Sequence, residues 1–324
     1  MVEIKNLTKN FPIDEGIINT IFGQKTKYVH AVDNVTFSIK KGEVLGLAGE
    51  SGSGKSTIGK LLLKLYEKSS GDIFYKNQNI TNLTFNELRK LREKIQIVFQ
   101  DPDASLNPRL SVGETIMDPL IIHNKYKKEE RKQKVLDMME KVGLSPPELL
   151  YDKYPHQLSG GQSQRVVLSR ALITDPDFIV ADEPIAAADV SIRAKIIELM
   201  KNLKNEFDLT YLFITHDLAT AKYLCDRIAI LYLGKIVEIG SNSEVFENPI
   251  HPYTKALLEA VPVPDPKYRR QEPLPKGEIP DAINPPPGCF YHPRCPYAME
   301  ICRKKQPELK EIITDHKVAC HLND

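Results

Sequence analysis

Apolar and polar residues alternate along several short stretches of the chain, and this alternation predicts β-strands. The first such stretches are MVEIKNL and AVDNVTFSI. The continuous apolar run EVLGLAG is also a predicted strand, and GDIFYKNQNI follows as a predicted pair of edge strands. Further along, DFIVAD and LTYLFITHD are predicted strands. RIAILYLGKIVEIG is predicted to form a hairpin that turns at Leu233 and Gly234.

Between these strands, apolar residues recur at helical spacing. The clearest examples are KSTIGKLLLKLYEK, KEERKQKVLDMMEKVG and SIRAKIIELMKNLKNEF. Two further helices are predicted to begin at capping boxes, one at Thr84 with Glu87 and one at Ser111 with Glu114. Strands and helices that alternate in this way predict an α/β fold with a mostly parallel sheet covered by helices.

The domain organisation follows from where this alternation is interrupted. Residues 100–158 have helical patterns and polar loops, which predicts an inserted helical subdomain at about 101–166. Proline is dense in residues 261–287, as in an extended linker. We therefore expect a main domain at residues 1–245 and a C-terminal extension at residues 246–324 that ends in a short, cysteine-bearing tail.

Composition excludes some classes of partner. The chain has 324 residues, of which 41% are hydrophobic and 27% charged, and its net charge is +1, so the overall balance gives no indication of nucleic acid or an anionic membrane. No stretch approaches the roughly 18 apolar residues of a membrane span, and the N-terminus lacks a signal-peptide pattern. We expect a cytoplasmic protein that reaches a membrane only by docking onto a protein embedded there.

Residues 49–56 read GESGSGKS, which matches the phosphate-loop pattern G-x-x-x-x-G-K-[ST] between a predicted strand and a predicted helix. Backbone N–H groups of such a loop surround phosphate oxygens. The lysine reaches the β- and γ-phosphates, and the following hydroxyl binds Mg²⁺. The candidate nucleotide-binding residues are Gly49, Ser51, Gly52, Ser53, Gly54, Lys55, Ser56 and Thr57.

Candidate catalytic residues lie at the ends of other predicted strands. FIVADE supplies Asp182, expected to orient the hydrated metal, and Glu183, expected to direct a water at the γ-phosphate and accept its proton. His216 ends LFITH and is expected to sense the γ-phosphate. Gln100 ends IVFQ, and its amide is expected to reach the metal or the attacking water.

A second glycine-rich turn, LSGGQ at residues 158–162, precedes the apolar helix pattern SQRVVLSRALI. Such a turn holds an anion, because free N–H groups and the helix dipole both favour negative charge there. With the phosphate loop, Gln100, FIVADEP, Asp189 and His216 in this order, residues 1 to about 245 resemble the nucleotide-binding subunits of ABC transporters. The resemblance implies a P-loop NTPase (RecA-like) core with an antiparallel β subdomain.

The resemblance also implies how the two turns are used. In that family two ATPase units pack head to tail, and each ATP lies between the phosphate loop of one unit and the LSGGQ of the other. Candidate residues for the partner's ATP are those of the LSGGQ turn, Ser159, Gly160, Gly161 and Gln162, and Asp189 is a further candidate nucleotide-binding residue. Tyr28 is the candidate aromatic residue for stacking on adenine, although an exposed loop tyrosine would give the same pattern.

Two positions depart from the family pattern. The residue after LSGGQ is usually basic and is Ser163 here, which weakens a local contact without removing the site. Residues 186–189 read AAAD where the family usually has Ser-Ala-Leu-Asp, so a hydroxyl expected to cross the dimer interface is missing. How tightly two copies of this chain couple therefore stays open.

Several segments resemble the oligopeptide/dipeptide importer group more narrowly. They are SLNPR, the long N-terminal segment before AVDNVTF, ENPIHPYTKALLEAVP and CFYHPRCPYAMEIC. SLNPR and the long N-terminal segment favour the F-type subunit of this group, which pairs with a D-type ATPase. The resemblance implies two transmembrane permease subunits and, indirectly, a substrate-binding protein. Similar subunits serve nickel or oligosaccharides, so the cargo stays open. A soluble ABC ATPase, such as one in iron–sulfur cluster assembly, is the rival interpretation, and a non-catalytic regulatory module is a third.

Four of the five cysteines, Cys289, Cys295, Cys302 and Cys320, lie in the last 36 residues. Disulfides are a poor fit for a cytoplasmic protein. Zinc sites with four thiolates usually use C-x₂₋₄-C pairs, which are missing here, and four irregularly spaced thiolates also suit a [4Fe–4S] cluster. The spacing alone therefore leaves both zinc and the cluster open. The family resemblance favours the cluster, while the neighbouring His292, His316 and His321 keep a mixed zinc site open. Cys225 is predicted to be a core residue.

Overall fold

The structure is a computed structural model that describes residues 1–13, 26–185, 190–261 and 277–323. Asp189, the alanines before it and the centre of the proline-rich linker lie outside the described residues. The chain divides into two compact units. The first consists of Met1–Ile39, Val44–Thr81 and Thr215–Asp324, and the second of Lys40–Glu43 and Asn82–Ile214.

Strands and helices alternate along the described residues as the sequence predicts. The strands are β1 (Val2–Pro12), β2 (Tyr28–Ile39), β3 (Val44–Ala48), β4 (Ser70–Tyr75), β5 (Gln78–Asn79), β6 (Ile95–Val98), β7 (Phe178–Asp182), β8 (Thr210–Thr215), β9 (Arg227–Tyr232), β10 (Lys235–Ser241), β11 (Lys310–Ile313) and β12 (His316–Val318). The helices are α1 (Lys55–Leu62), α2 (Phe85–Lys94), α3 (Pro102–Ser105), α4 (Val112–Ile122), α5 (Lys128–Lys141), α6 (Pro147–Tyr151), α7 (Gly160–Leu172), α8 (Val190–Phe207), α9 (Leu218–Leu224), α10 (Asn242–Glu247) and α11 (Pro252–Glu259). Short 3₁₀ turns occur at Pro155–Gln157, Ile301–Arg303 and His321–Asn323.

The first unit contains two sets of strands. An antiparallel sheet has the order β2-β1-β4-β5, which places β5 at an edge as expected. The second set has the order β11-β12-β10-β9-β3, with β3 and β9 parallel. All five residues of β3 are buried, as its continuous apolar run predicts for a central parallel strand.

The hairpin between β9 and β10 turns where the sequence predicts. Leu233 and Gly234 have φ values of 42° and 78°, so both lie in the left-handed region that a two-residue hairpin turn of type I′ requires. Cys225, just before β9, is 7% exposed, which agrees with its predicted place in the core. The hairpin brings β10 to the position where the C-terminal tail adds two more strands.

The second unit contains the parallel strands β6, β7 and β8 and the predicted helical insertion. Both predicted capping boxes are formed: the hydroxyls of Thr84 and Ser111 accept from the N–H groups of Glu87 and Glu114, and each glutamate returns a bond to the backbone. Helix α5 ends just before Gly143, whose φ of 74° suits a helix stop.

The predicted α/β fold is confirmed, with its antiparallel β subdomain, helical insertion and small C-terminal extension. Strands β11 and β12 in that extension are a feature that the sequence patterns did not indicate. Strand β12 pairs antiparallel with β10, through Val318 opposite Glu238 and Lys317 opposite Ile239. None of the helices in the described part of the chain combines the length and the apolar character that a membrane span needs.

Candidate active site

The predicted phosphate loop connects β3 to α1 in the first unit, and two of its glycines are required by close backbone contacts. A Cβ on Gly49, which has φ 151°, would lie 2.2 Å from the carbonyl oxygen of Leu231. A Cβ on Gly54, which has φ 102°, would lie 2.1 Å from that of Ala31. These two positions therefore admit only glycine without moving the backbone.

Lys55 begins helix α1, with Gly54 as the N-cap in the left-handed region. Its ammonium group donates hydrogen bonds to the carbonyl oxygens of Gly49 and Glu50, each at 2.9 Å, and the residue is 5% exposed. The lysine therefore closes the loop on itself and keeps a positive charge at the start of the helix. Ser51 and Gly52 are exposed, while Ser53 is buried and Ser56 and Thr57 are half-buried.

The paired acids lie in the second unit. Asp182 is the last residue of β7 and is 7% exposed. Glu183 follows with φ 48°, an unfavourable left-handed conformation for a residue other than glycine, and its N–H donates to the carbonyl of Ile214 at 2.9 Å. Such strain persists only where neighbouring contacts hold it, and it is common at reactive sites.

The structure brings Gln100 and Glu183 together. The side-chain N–H of Gln100 donates to Oε2 of Glu183 at 3.1 Å, although the two residues are 83 positions apart in the sequence. The bond orients the carboxylate without adding a charge to it. This is a suitable arrangement for a general base that needs a defined direction of attack.

The LSGGQ turn is the N-terminus of helix α7 in the second unit. The hydroxyl of Ser159 accepts from the N–H of Gln162 at 3.4 Å, and the N–H of Ser159 donates to the Gln162 side chain at 3.0 Å, which completes a capping box. Ser159 and Gly160 are exposed. A cavity of about 190 Å³ lies beside this turn, and its lining includes Gln100 and Gly161.

Other predicted site residues are placed less decisively. His216 lies one residue beyond the end of β8 and is exposed. Tyr28, at the start of β2, is 43% exposed, which suits either stacking on a base or a plain surface position. Ser163 is 1% exposed, so this departure from the family pattern packs inside the second unit. The roles of His216 and Tyr28 stay predictions.

Sequence reasoning missed contacts that reach the phosphate loop from the C-terminal part of the first unit. The guanidinium of Arg294 forms an ion pair with the carboxylate of Glu50, and the hydroxyl of Tyr253 accepts from the Glu50 N–H. Both Tyr253 and Arg294 lie in segments singled out only for their family resemblance, in HPYT and CFYHPRC. A glutamate inside a phosphate loop was the signal that a compensating cation lay elsewhere.

A buried carboxylate joins the same segments to strand β10. Glu238 is fully buried and accepts hydrogen bonds from the N–H groups of Ile250 and His251, at 2.9 and 3.0 Å, and from Nε2 of His316 at 2.8 Å. Burial alone raises the pKa of Glu238, but these hydrogen bonds outweigh it and the pKa lies below its ordinary value. Burial also lowers the pKa of His251 to about 4, and its Nδ1 accepts from the N–H of Tyr253 at 3.0 Å.

No disulfide joins the four tail cysteines, and the other three lie close enough to Cys289 to act on its thiol. Burial raises the pKa of Cys289 to about 11, and the other three thiols add smaller effects of the same sign. Within the described residues, however, no group of three or more His, Cys, Asp or Glu side chains is arranged to hold a metal ion. The predicted cluster or zinc site is therefore not supported by the geometry.

The three histidines considered for a mixed zinc site have other partners. His316 contacts Glu238, His292 lies 2.9 Å from the carbonyl oxygen of Cys289 through Nδ1, and His321 lies 2.9 Å from that of Lys305 through Nε2. His316 is fully buried in its contact with Glu238. These contacts give each ring a structural role in the tail.

Comparison with known proteins agrees with this arrangement. Residues 32–186 match the family model described as ABC transporter, and residues 237–302 match the one described as oligopeptide/dipeptide transporter, C-terminal region. The chain is 48% identical to the oligopeptide transport ATP-binding protein AppF of Bacillus subtilis (strain 168), over 99% of this chain and 97% of that protein. The chain belongs to the ABC transporter family.

This ABC transporter chain is also similar to a second transport protein and to a solved structure. It is 45% identical to the dipeptide transport ATP-binding protein DppF of Haemophilus influenzae, over 97% of this chain and 94% of that protein. Among solved structures, it resembles the ATP-binding cassette MJ0796, in a dimeric post-hydrolysis state bound to ADP and Pi. That match has 35% identity and a TM-score of 0.64, and it covers 75% of this chain and 99% of the other.

Proposed function

We propose that this chain is the ATP-hydrolysing subunit of an importer that carries dipeptides or oligopeptides across a membrane. One observation carries the choice: residues 237–302 match the C-terminal region of oligopeptide/dipeptide transporters. The phosphate loop, LSGGQ and paired acids do not by themselves separate an importer from a soluble ATPase of the same family. The C-terminal region does, because a soluble ATPase has no reason to carry it.

Each site residue has a proposed role that its place in the structure supports. Lys55, at the start of α1, binds the β- and γ-phosphates, and Ser56 supplies a hydroxyl for Mg²⁺. Asp182 would hold the hydrated metal ion, which would supply positive charge beside the phosphates. Glu183 accepts the proton of the attacking water, and Gln100 holds its carboxylate in place.

The LSGGQ turn is proposed to bind ATP held by another ATPase subunit. Its support is the exposed helix N-terminus, where Ser159 presents a hydroxyl and Gly160 a backbone N–H to an incoming anion. ATP binding would then join two subunits, and hydrolysis would release them. We propose a related D-type ATPase as the partner, with a second copy of this chain as the alternative.

The remaining partners follow from the transport function. Two transmembrane permease subunits would hold the ATPase pair on the inner face of the membrane, and a substrate-binding protein would act indirectly on the other side. Opening and closing of the ATPase pair would move the permeases. No partner is expected to be a nucleic acid.

A test of this function compares cells that make the natural chain with cells that make only Glu183→Gln. We expect the natural chain in the membrane fraction with its permeases, and we expect uptake of a labelled dipeptide to be lost with the variant. A chain found wholly in the soluble fraction, with uptake unchanged, would favour the soluble rival. Loss of nickel or oligosaccharide uptake instead would change the cargo and keep the ATPase role.

The cysteine-bearing tail is proposed to hold a metal centre, with [4Fe–4S] preferred over zinc. The support for this is that the other three tail thiols lie close enough to raise the pKa of Cys289, although the described side chains do not form an ion site as they stand. Anaerobic purification followed by iron, sulfide and zinc assays is the test. A stoichiometric amount of zinc would replace the cluster, and a tail free of metal would remove the proposal.

A further inference from the structure

The carboxylate of Glu50, the second residue of the phosphate loop, is held by a residue from the far end of the chain. Nη1 of Arg294 lies 2.7 Å from one carboxylate oxygen of Glu50, and Nη2 lies 2.9 Å from the other. The pairing is two-pronged, the strongest geometry available to arginine and a carboxylate. The Arg294 side chain is 8% exposed and that of Glu50 is 26% exposed, so water screens the pair only partly.

Aromatic rings fix the guanidinium in this position. Its central carbon lies 5.9 Å from the ring centres of both Tyr232 and Tyr291, and Nη1 is 3.5 Å from the Tyr232 hydroxyl. Those two rings pack edge to face, with centres 5.3 Å apart. A cation held between aromatic faces has little freedom to leave its carboxylate.

The main chain of Glu50 is restrained as well. Its N–H donates to the hydroxyl of Tyr253 at 2.9 Å, and Tyr253 is 1% exposed in helix α11. Its carbonyl oxygen accepts from Lys55 at 2.9 Å and from the N–H of Ser53 at 3.3 Å. Every polar group of this loop residue is therefore engaged, two of them by the C-terminal part of the first unit.

A carboxylate in a phosphate loop raises a problem of charge. The loop holds an anion with backbone N–H groups and Lys55, and a bare negative charge on its second residue would oppose that binding. Arg294 cancels this charge at contact distance. Because the pair is only partly screened, the cancellation persists at physiological ionic strength.

We propose that Arg294 is a positioning residue for the phosphate loop, neutralising Glu50 and fixing the loop for triphosphate binding. The inference rests on the proposed function, since it concerns the same ATP site. It makes the cysteine-bearing tail a part of the nucleotide site, whatever the tail itself binds. Tyr253 is a second residue that positions the loop, because its hydroxyl accepts a hydrogen bond from the N–H of Glu50.

Four variants separate this role from a purely structural attachment of the tail. Arg294→Met keeps the length of the side chain and leaves Glu50 uncompensated, so we expect KM for MgATP to rise about tenfold with kcat changed less. Glu50→Gln removes the charge that needs compensation. The double variant should therefore bind MgATP better than Arg294→Met alone. Lys304→Met, which breaks an exposed ion pair with Glu300 in the same tail, is the matched control and should leave KM unchanged.

The measurements are steady-state ATP hydrolysis and direct binding of a fluorescent ATP analogue, with thermal unfolding to confirm folding. Arg294→Lys provides a second reading if Arg294→Met unfolds, and we expect partial retention of affinity. An unchanged KM in folded Arg294→Met, or a double variant no better than Arg294→Met, would overturn the inference. Absence of hydrolysis and binding in the natural chain would instead overturn the proposed function itself.

Discussion

The amide of Gln100 donates a hydrogen bond to the carboxylate of Glu183, 3.1 Å away, and thereby joins the end of strand β6 to the end of strand β7. The strained backbone at Glu183 makes this contact more informative than its length alone. Together, the hydrogen bond and the strained backbone give the Glu183 carboxylate a fixed orientation.

Replacement of Glu183 by glutamine should leave ATP binding intact and lower turnover. A glutamine keeps the shape and can still accept from Gln100, but it cannot take a proton, and general-base assistance contributes about 10²–10⁴-fold. Phosphate release under saturating MgATP measures the loss, and equilibrium binding measures what is kept. Normal turnover in this variant would remove Glu183 from its role.

Replacement of Gln100 by alanine should have a smaller effect on turnover than replacement of Glu183. The two changes together should cost less in free energy than the sum of their separate effects, because both side chains are proposed to act on one water. A double-mutant cycle on the hydrolysis rate checks this. Strict additivity would mean that the hydrogen bond between the two side chains has no catalytic consequence.

Replacement of Ser159 by aspartate should separate helix capping from nucleotide binding. Aspartate is as good an N-cap as serine, so α7 should stay stable, whereas alanine would lose about 1 kcal/mol. The added negative charge should repel the γ-phosphate of ATP held by a partner subunit. Sedimentation of Glu183→Gln with MgATP, alone or mixed with the proposed D-type ATPase, should show a complex of two subunits. Adding Ser159→Asp to this variant should prevent that complex from forming.

The control is Ser159→Ala, which removes the side chain that caps helix α7. If Ser159→Ala abolishes assembly and Ser159→Asp does not, the hydroxyl acts through helix stability alone. If neither change affects assembly or turnover, LSGGQ is not part of a shared site. Urea unfolding of both variants shows which explanation applies.

Two of the loop glycines with positive φ, Gly52 and Gly54, should respond differently to alanine. At Gly52 a Cβ would meet no atom within 4 Å, so only backbone strain remains, on the order of 1 kcal/mol. At Gly54 the Cβ would also strike the carbonyl of Ala31, which adds about 1–3 kcal/mol. Urea unfolding should rank Gly54→Ala well below Gly52→Ala in stability, and equal losses would contradict the steric argument.

Acidification should destabilise the protein in a window set by His251. Its folded pKa of about 4 lies below its ordinary 6.5, so the unfolded chain takes up a proton that the folded chain cannot. This contribution is fully present above pH 6.5 and is lost as the pH falls towards 4. Glu238, whose pKa is also lowered, adds a loss of the same sign below its ordinary 4.5.

His251→Asn tests this assignment. Asparagine can still cap helix α11 by accepting from the N–H of Tyr253, but it does not titrate. The midpoint of urea unfolding should therefore change less between pH 6.5 and 4 in His251→Asn than in the natural chain. His156→Asn, at an exposed position, should keep the natural pH profile. Identical profiles for the natural chain and His251→Asn would refute the assignment.

Local patterns predicted those parts of the fold that local chemistry determines. The capping boxes at Thr84 and Ser111 and the turn at Leu233 are each decided by a few neighbouring residues, and all three are formed. The phosphate loop was equally visible, because its glycines and lysine must be adjacent in sequence to surround one anion. Such features need no knowledge of distant contacts.

The contacts that escaped prediction join residues far apart in the chain. Glu50 and Arg294 are 244 positions apart, and Glu238 and His316 are 78 apart, so no periodicity connects them. Strands β11 and β12 have three or four residues each, too few for alternation to stand out from chance. The local sequence feature that indicated such a partner was a charged residue in an unusual place, namely Glu50 in the phosphate loop.

Strand β12 lies along β10, and its last residue is only six positions from the end of the chain. In a protein shortened before Lys310, the backbone N–H and C=O groups of β10 that pair with β12 would be exposed. Strands of neighbouring molecules could then pair with this exposed edge. Deletion of the tail is therefore expected to yield insoluble material rather than a smaller working enzyme. The function of these last residues must be sought one side chain at a time.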